Sequence, residues 1–199
     1  MIVYLFKTEY KFNFSFFAVI TLMLMTAESN IALISLVSSL LHECGHLVFM
    51  YAFGNVPQRV EFGAFGIRIE RPETSQIGYK KEAIIAIGGV CVNFILAAIG
   101  FVFYQCCGSQ FAAICIFVNI FIALLNLMPV GMLDSGRFLR YILLMRVDED
   151  KTECWLTRIS NITVICFTVI CVCYTVAFGL NISLVAVAVY LIITNLKRS

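Results

Sequence analysis

Long apolar runs separated by short polar connections limit what this chain can become. Six of them occupy approximately residues 12–27, 31–53, 83–104, 111–130, 159–178 and 180–196. Each is long enough, or nearly so, to cross the roughly 30 Å of bilayer hydrocarbon as a helix. The connections Glu28–Asn30 and Gly179–Asn181 are so tight that helical hairpins are expected there. Of the 199 residues only 13% are charged, and the mean hydropathy is +0.96. A soluble domain would carry about a quarter charged residues. The expected fold class is therefore an all-α polytopic membrane protein with about six transmembrane helices. It forms a single membrane domain over 1–199, with no room for a large soluble one. Its core lies at 31–140, and a C-terminal helical hairpin at 159–196. Small residues after the first run resemble a signal-peptide cleavage site, but the apolar run that follows favours a retained helix.

The basic residues orient this arrangement. Lys7 and Lys11 precede the first run, and Arg59, Arg68, Arg71, Lys80 and Lys81 lie between the second and third. Arg137, Arg140, Arg146, Lys151 and Arg158 lie between the fourth and fifth, and Lys197 and Arg198 follow the sixth. With six crossings all 14 fall on one side. The positive-inside bias makes that side cytoplasmic and puts both termini there. A net charge of +2 gives no reason to expect nucleic acid as a partner. The nine cysteines contain no Cys-x-x-Cys pair and mostly sit in apolar runs, where they act as small hydrophobes rather than as a disulfide framework.

Against that background, residues 40–50, LLHECGHLVFM, carry both histidines of the chain. Glu43 is the one acidic residue clearly inside an apolar run, and Asp134 stands just past the end of another. An ionisable group at membrane depth costs roughly 2.5–3.5 kcal/mol on insertion scales, so its presence points to function. On a helix His42 and His46 lie about 40° apart and one turn distant, so both imidazoles reach one ion. Glu43 is then near enough to take a proton from a water activated there. This is the HExxH arrangement of zinc hydrolases.

A catalytic zinc takes a third protein ligand and keeps an open position. Glu70 or Glu73, some twenty-odd residues downstream, fit the soluble-type spacing but sit in the charged stretch RIERPETSQ. Asp134, in NLMPVGMLDSGRFLR, follows Pro129 and Gly131, which should interrupt the fourth helix where freed backbone can line a cavity. As a helix N-cap it would need no metal. Depth bears on the choice. His46 lies roughly 10 Å from the cytoplasmic end of its helix, and the fourth run descends to the same side, bringing Asp134 to a similar level. The set His42, His46, Asp134 is consistent with the topology.

These residues resemble the site-2 protease family of intramembrane zinc metalloproteases. The matching pieces are HECGH at 42–46, GGVCVNFILA at 88–97 and NLMPVGMLDSG at 126–136, on the second, third and fourth runs in the family's order. They cover about residues 31–140. The resemblance implies one catalytic zinc held by His42, His46 and Asp134, with Glu43 as base. Asn93 and Asn126 become candidates for holding substrate. It also implies a membrane-associated protein substrate, cut within or beside a transmembrane segment near the cytoplasmic face. Six runs, a short N-terminus and VEFGAFGIRIE after the second run look most similar to the stage IV sporulation protein FB branch, which would place the chain in a bacterial cell membrane and make a pro-sigma factor a candidate substrate. Two departures stand out: Ser135 replaces the usual glycine after the aspartate, with Gly136 following, and the chain ends after its sixth run without that branch's CBS domain. Residues 59–70 alternate charged and apolar side chains around Gly63 and Gly66, as expected of one or two short strands at the cytoplasmic surface.

Overall fold

The computed structural model describes residues 2–5, 8–26, 29–63, 66–70 and 77–196. Its elements run β1 (Ile2–Leu5), β2 (Thr8–Phe12), α1 (Phe14–Thr26), α2 (Ser29–Ala52), β3 (Arg59–Gly63), β4 (Gly66–Glu70), α3 (Tyr79–Cys107), α4 (Gln110–Asn126), α5 (Asp134–Leu144), α6 (Glu149–Phe178) and α7 (Ile182–Leu196). The chain divides into two compact units, Met1–Ala123 and Leu124–Ser199.

The first unit joins a four-stranded sheet to a helical layer. Strand order is β1-β2-β3-β4, with antiparallel hairpins β1/β2 and β3/β4 joined by a parallel pairing of β2 with β3. The β3/β4 hairpin, closing at Gly63 opposite Gly66, lies where the alternating pattern placed it. The N-terminal hairpin was not foreseen, and it corrects an all-α description to a mostly helical one. Its reason is visible in the ladder. Glu9 pairs in register with Arg59, and Lys11 with Glu61, so opposite charges face each other across the parallel strands. Lys11 Nζ reaches Glu61 at 2.9 Å and Arg59 Nε reaches Glu9 at 3.2 Å. The Thr8 hydroxyl donates to the Pro57 carbonyl at 2.9 Å and lies 2.7 Å from the Tyr51 hydroxyl, which ties the hairpin to the end of α2.

Helices α2 and α3 pack closely because glycine faces glycine. A methyl on Gly45 would come within 2.7 Å of the Gly88 carbonyl oxygen, and one on Gly88 within 2.9 Å of the Gly45 oxygen. Small residues at such contacts let transmembrane backbones approach where no hydrophobic force drives them together. Away from this seam α3 exposes Phe94, Ile95, Ile99, Phe101, Val102 and Phe103, side chains suited to lipid.

In the second unit Val130, Val164 and Leu191 form a core beneath Met128, Leu133, Phe167 and Val187. Helix α6 begins ten residues before the apolar run at 159–178. Glu149 and Asp150 occupy its first turn, where carboxylates complement the helix dipole, and the stripe Thr152, Leu156, Ser160 and Val164 is buried at four-residue spacing.

Among the described residues three helices are long and apolar enough to cross a membrane: Asn30–Ala52, Tyr79–Cys107 and Glu149–Phe178. Gln110–Asn126 and Leu184–Leu196 are apolar but shorter. The 17 residues of α4 rise about 26 Å, just under a bilayer's hydrocarbon thickness. The expected fourth run, 111–130, ends early as a helix, at Asn126. Pro129 lies just beyond, and residues 127–133 form a loop before α5.

Candidate metal centre

The helical spacing of α2 puts both histidines on its α3-facing side. His42 and His46 are buried, and their ring centroids stand 5.0 Å apart with planes at 81°. Their Nε2 atoms are separated by 3.4 Å. Two nitrogens each about 2.0–2.1 Å from one tetrahedral zinc would stand about 3.3–3.4 Å apart. The pair therefore already has the spacing of two ligands on one ion.

The protonation pattern agrees. His46 Nδ1 lies 2.7 Å from the carbonyl oxygen of Ile85 on α3. A carbonyl only accepts, so Nδ1 carries the proton and Nε2 presents its lone pair toward His42. A second hydrogen bond of this kind orients metal-binding imidazoles generally. The facing helix makes room for the rings. A methyl on Gly89 would sit 2.5 Å from His46 Nε2 and 2.6 Å from His42 Nε2. In the sequence Gly89 is distinguished only as part of GGVCVNFILA. Its physical role, an absent side chain opposite two imidazoles, is a property of the α2/α3 packing. Glu43 follows His42 on α2 and is half-buried.

Asp134 is the first residue of α5 and is buried. It is not the helix cap: Leu133 holds that position, with no side-chain capping bond. The loop before it is held from two sides within its own unit. Ser160 of α6 accepts from the Gly131 amide at 3.0 Å and donates to the Pro129 carbonyl at 3.3 Å. Ser135 donates its hydroxyl to the Met128 carbonyl. Gly136 abuts the same loop so closely that a methyl on it would fall 2.0 Å from the Val130 oxygen. The departure at Ser135 thus adds a bond to the loop, and the obligatory glycine is Gly136.

The first unit thus supplies two buried imidazoles, His42 and His46, and the second a buried carboxylate, Asp134, the residue types of a His/His/Asp metal site. Glu70 instead ends β4, half-exposed, with Arg59 Nη1 at 3.6 Å from its carboxylate. Glu73 lies outside the described residues. Asn93 is fully buried four residues after Gly89 on α3. Asn126 is the last residue of α4 and is half-buried.

The groups near the sheet titrate away from their usual ranges. Burial, then the neighbouring Tyr51 hydroxyl, pushes the Tyr10 phenol up to about 12. The Glu9 carboxylate raises the Arg59 guanidinium further above its already high value. In the second unit the Glu153 carboxylate does the same for Arg140.

No family model and no curated protein matches the chain. Among solved structures it is similar to the site-2 protease from Methanocaldococcus jannaschii, with a TM-score of 0.68 over 100% of this chain and 94% of that one, at 18% identity. The chain has the fold of a site-2 protease.

Proposed function

We propose that the protein is an intramembrane zinc metalloprotease of the site-2 protease type. The observation that carries this is the pair of buried imidazoles, Nε2 atoms 3.4 Å apart, on a fold shared with a protease of that kind. Zinc, with His42, His46 and Asp134 as its ligands, would supply Lewis-acid polarisation of a scissile carbonyl and a lowered pKa for water. Glu43 serves as general base, taking the proton from the attacking water and passing it to the leaving amine. Asn126 holds substrate or stabilises developing charge on the carbonyl oxygen.

The substrate is a membrane-associated protein cut in or beside a transmembrane segment near the cytoplasmic face. All six apolar runs cross, with both termini cytoplasmic, which the one-sided distribution of Lys and Arg supports. β3 is an inner strand, flanked by β2 and β4, so the open edge offered by residues 59–70 is β4. An extended substrate segment can add to that edge through backbone hydrogen bonds. A pro-sigma factor of sporulation is one candidate substrate.

The test is zinc per chain, by elemental analysis, in wild type and in Asp134→Ala. About one zinc in wild type and a clear loss in the variant is the expected result. Equal zinc in both would remove Asp134 from the ligand set.

A further inference from the structure

A second group of buried polar side chains lies beside the histidines, within the first unit. Ser38 is one turn before His42 on α2, and both are buried on the same side at four-residue spacing. Asn119 on α4 is fully buried and donates Nδ2 to the Ser38 hydroxyl at 3.0 Å and to the Cys115 carbonyl at 2.8 Å. Among the described residues its Oδ1 has no hydrogen-bond partner, and neither Nδ2 nor Oδ1 of fully buried Asn93 has one.

Helix register brings these residues to one level. Gly45 opposite Gly88 fixes the antiparallel α2/α3 alignment. Five residues further along α3, Asn93 falls level with Leu40, between Ser38 and His42. Asn119 reaches the same level of α2 through its hydrogen bond to Ser38. Asn93 also follows Gly89 by four, which puts it on the α3 face that meets the imidazoles.

Buried polar atoms are nearly always hydrogen-bonded, and each exception asks for a partner. An ordered water needs two to four polar neighbours. Three vacant amide positions and a serine hydroxyl supply them. We infer that Ser38, Asn93 and Asn119 hold ordered water one helical turn from His42, and that this water feeds hydrolysis. Each cleavage consumes one water: the C–N bond breaks, the oxygen goes to the acyl carbon, and protons go to the departing amine. Bulk water is scarce at membrane depth, so a store beside the histidines keeps the reaction supplied. The feeding role rests on the proteolytic function proposed above; the water site itself does not.

Two measurements test it. In wild type reconstituted in lipid bilayers, water-edited solid-state NMR should transfer magnetisation from water to the side-chain amides of Asn93 and Asn119, identified by their loss in Asn93→Leu and Asn119→Leu. Amides that stay dry overturn the site. For the feeding role, cleavage of a transmembrane peptide should show kcat lowered about tenfold in each single variant, with KM and zinc content unchanged. The double variant should be no slower than the slower single one, because both amides act on the same water. Multiplicative losses, a change confined to KM, or a loss of zinc would overturn that role. Ser38→Ala, which removes one hydroxyl only, should lower kcat in the same direction and guards against misfolding of the leucine variants. If wild type binds no zinc and cleaves nothing, the proteolytic function falls, and the NMR result alone decides the water site.

Discussion

Replacing Gly89 by alanine tests the metal centre without touching a ligand. The new methyl would stand 2.5 Å from His46 Nε2 and 2.6 Å from His42 Nε2, where ordinary contact begins near 3.4 Å. About 0.9 Å must be recovered at the tighter contact (3.4 less 2.5). The rings are not free to yield it. His46 is pinned by Nδ1 to the Ile85 carbonyl, and Gly45 and Gly88 already hold the two backbones at their closest approach. Overpacking of this kind costs about 1–3 kcal/mol. Designed metal sites tolerate only about 0.2 Å of error in ligand distance. Disturbing groups that merely orient ligands weakens metal binding about 10–100-fold, and displacing the ligating nitrogens themselves should reach at least the upper end. The assay is zinc affinity by competition with a chromophoric chelator, on Gly89→Ala beside Gly78→Ala. Gly78 precedes α3 with φ −61° and nothing within 4 Å of an added methyl, so it serves as the silent control. Unchanged zinc affinity in Gly89→Ala would refute the placement of the ion between these two Nε2 atoms.

Further outcomes follow from the same contacts. Glu43→Gln should lower kcat by about 10²–10⁴-fold while zinc per chain stays at the wild-type level, measured on one preparation; near-normal turnover would remove Glu43 as the base. Gly136→Ala should destabilise the protein by about 3 kcal/mol, because its methyl would meet backbone atoms of Val130 that cannot swing aside. Ser135→Ala, which loses a single hydroxyl bond to Met128, should cost about 1 kcal/mol; thermal unfolding in detergent that ranked the two in the opposite order would contradict the loop geometry. Tyr10 binds its proton more tightly in the folded state than its ordinary value of 10.0, at about 12. Its contribution is therefore complete below pH 10 and is lost as pH rises toward 12. Tyr10→Phe should lack that part of the alkaline loss of stability, read from unfolding curves at stepped pH.

Local chemistry made much of the protein legible. The apolar runs foretold α2, α3 and the apolar part of α6, because sustained hydropathy at this length has few other uses. His42, Glu43 and His46 stood out because ionisable groups inside a span are costly, and because helical spacing is a one-dimensional signal. The β3/β4 hairpin was readable from alternation around Gly63 and Gly66 for the same reason. Asp134 was visible as an acidic residue after a proline–glycine break, but Leu133, not Asp134, proved to be the cap of α5.

What escaped the sequence depended on partners far along the chain. The N-terminal hairpin exists because β2 lies parallel to β3, some fifty residues later, with Glu9 against Arg59 and Lys11 against Glu61. No window of local residues contains that pairing. Gly89 matters only because α3 lies against α2 in one register, and Asn119 only because its amide reaches Ser38 across 81 residues. The sequence by itself determined the long apolar helices and the residue types of the candidate metal site, encoded in hydropathy, in periodicity and in the cost of burying charge. Only the tertiary structure decided which side chains had to be absent, which amides were left without partners, and how far apart the two imidazoles stand, since these follow from packing between helices.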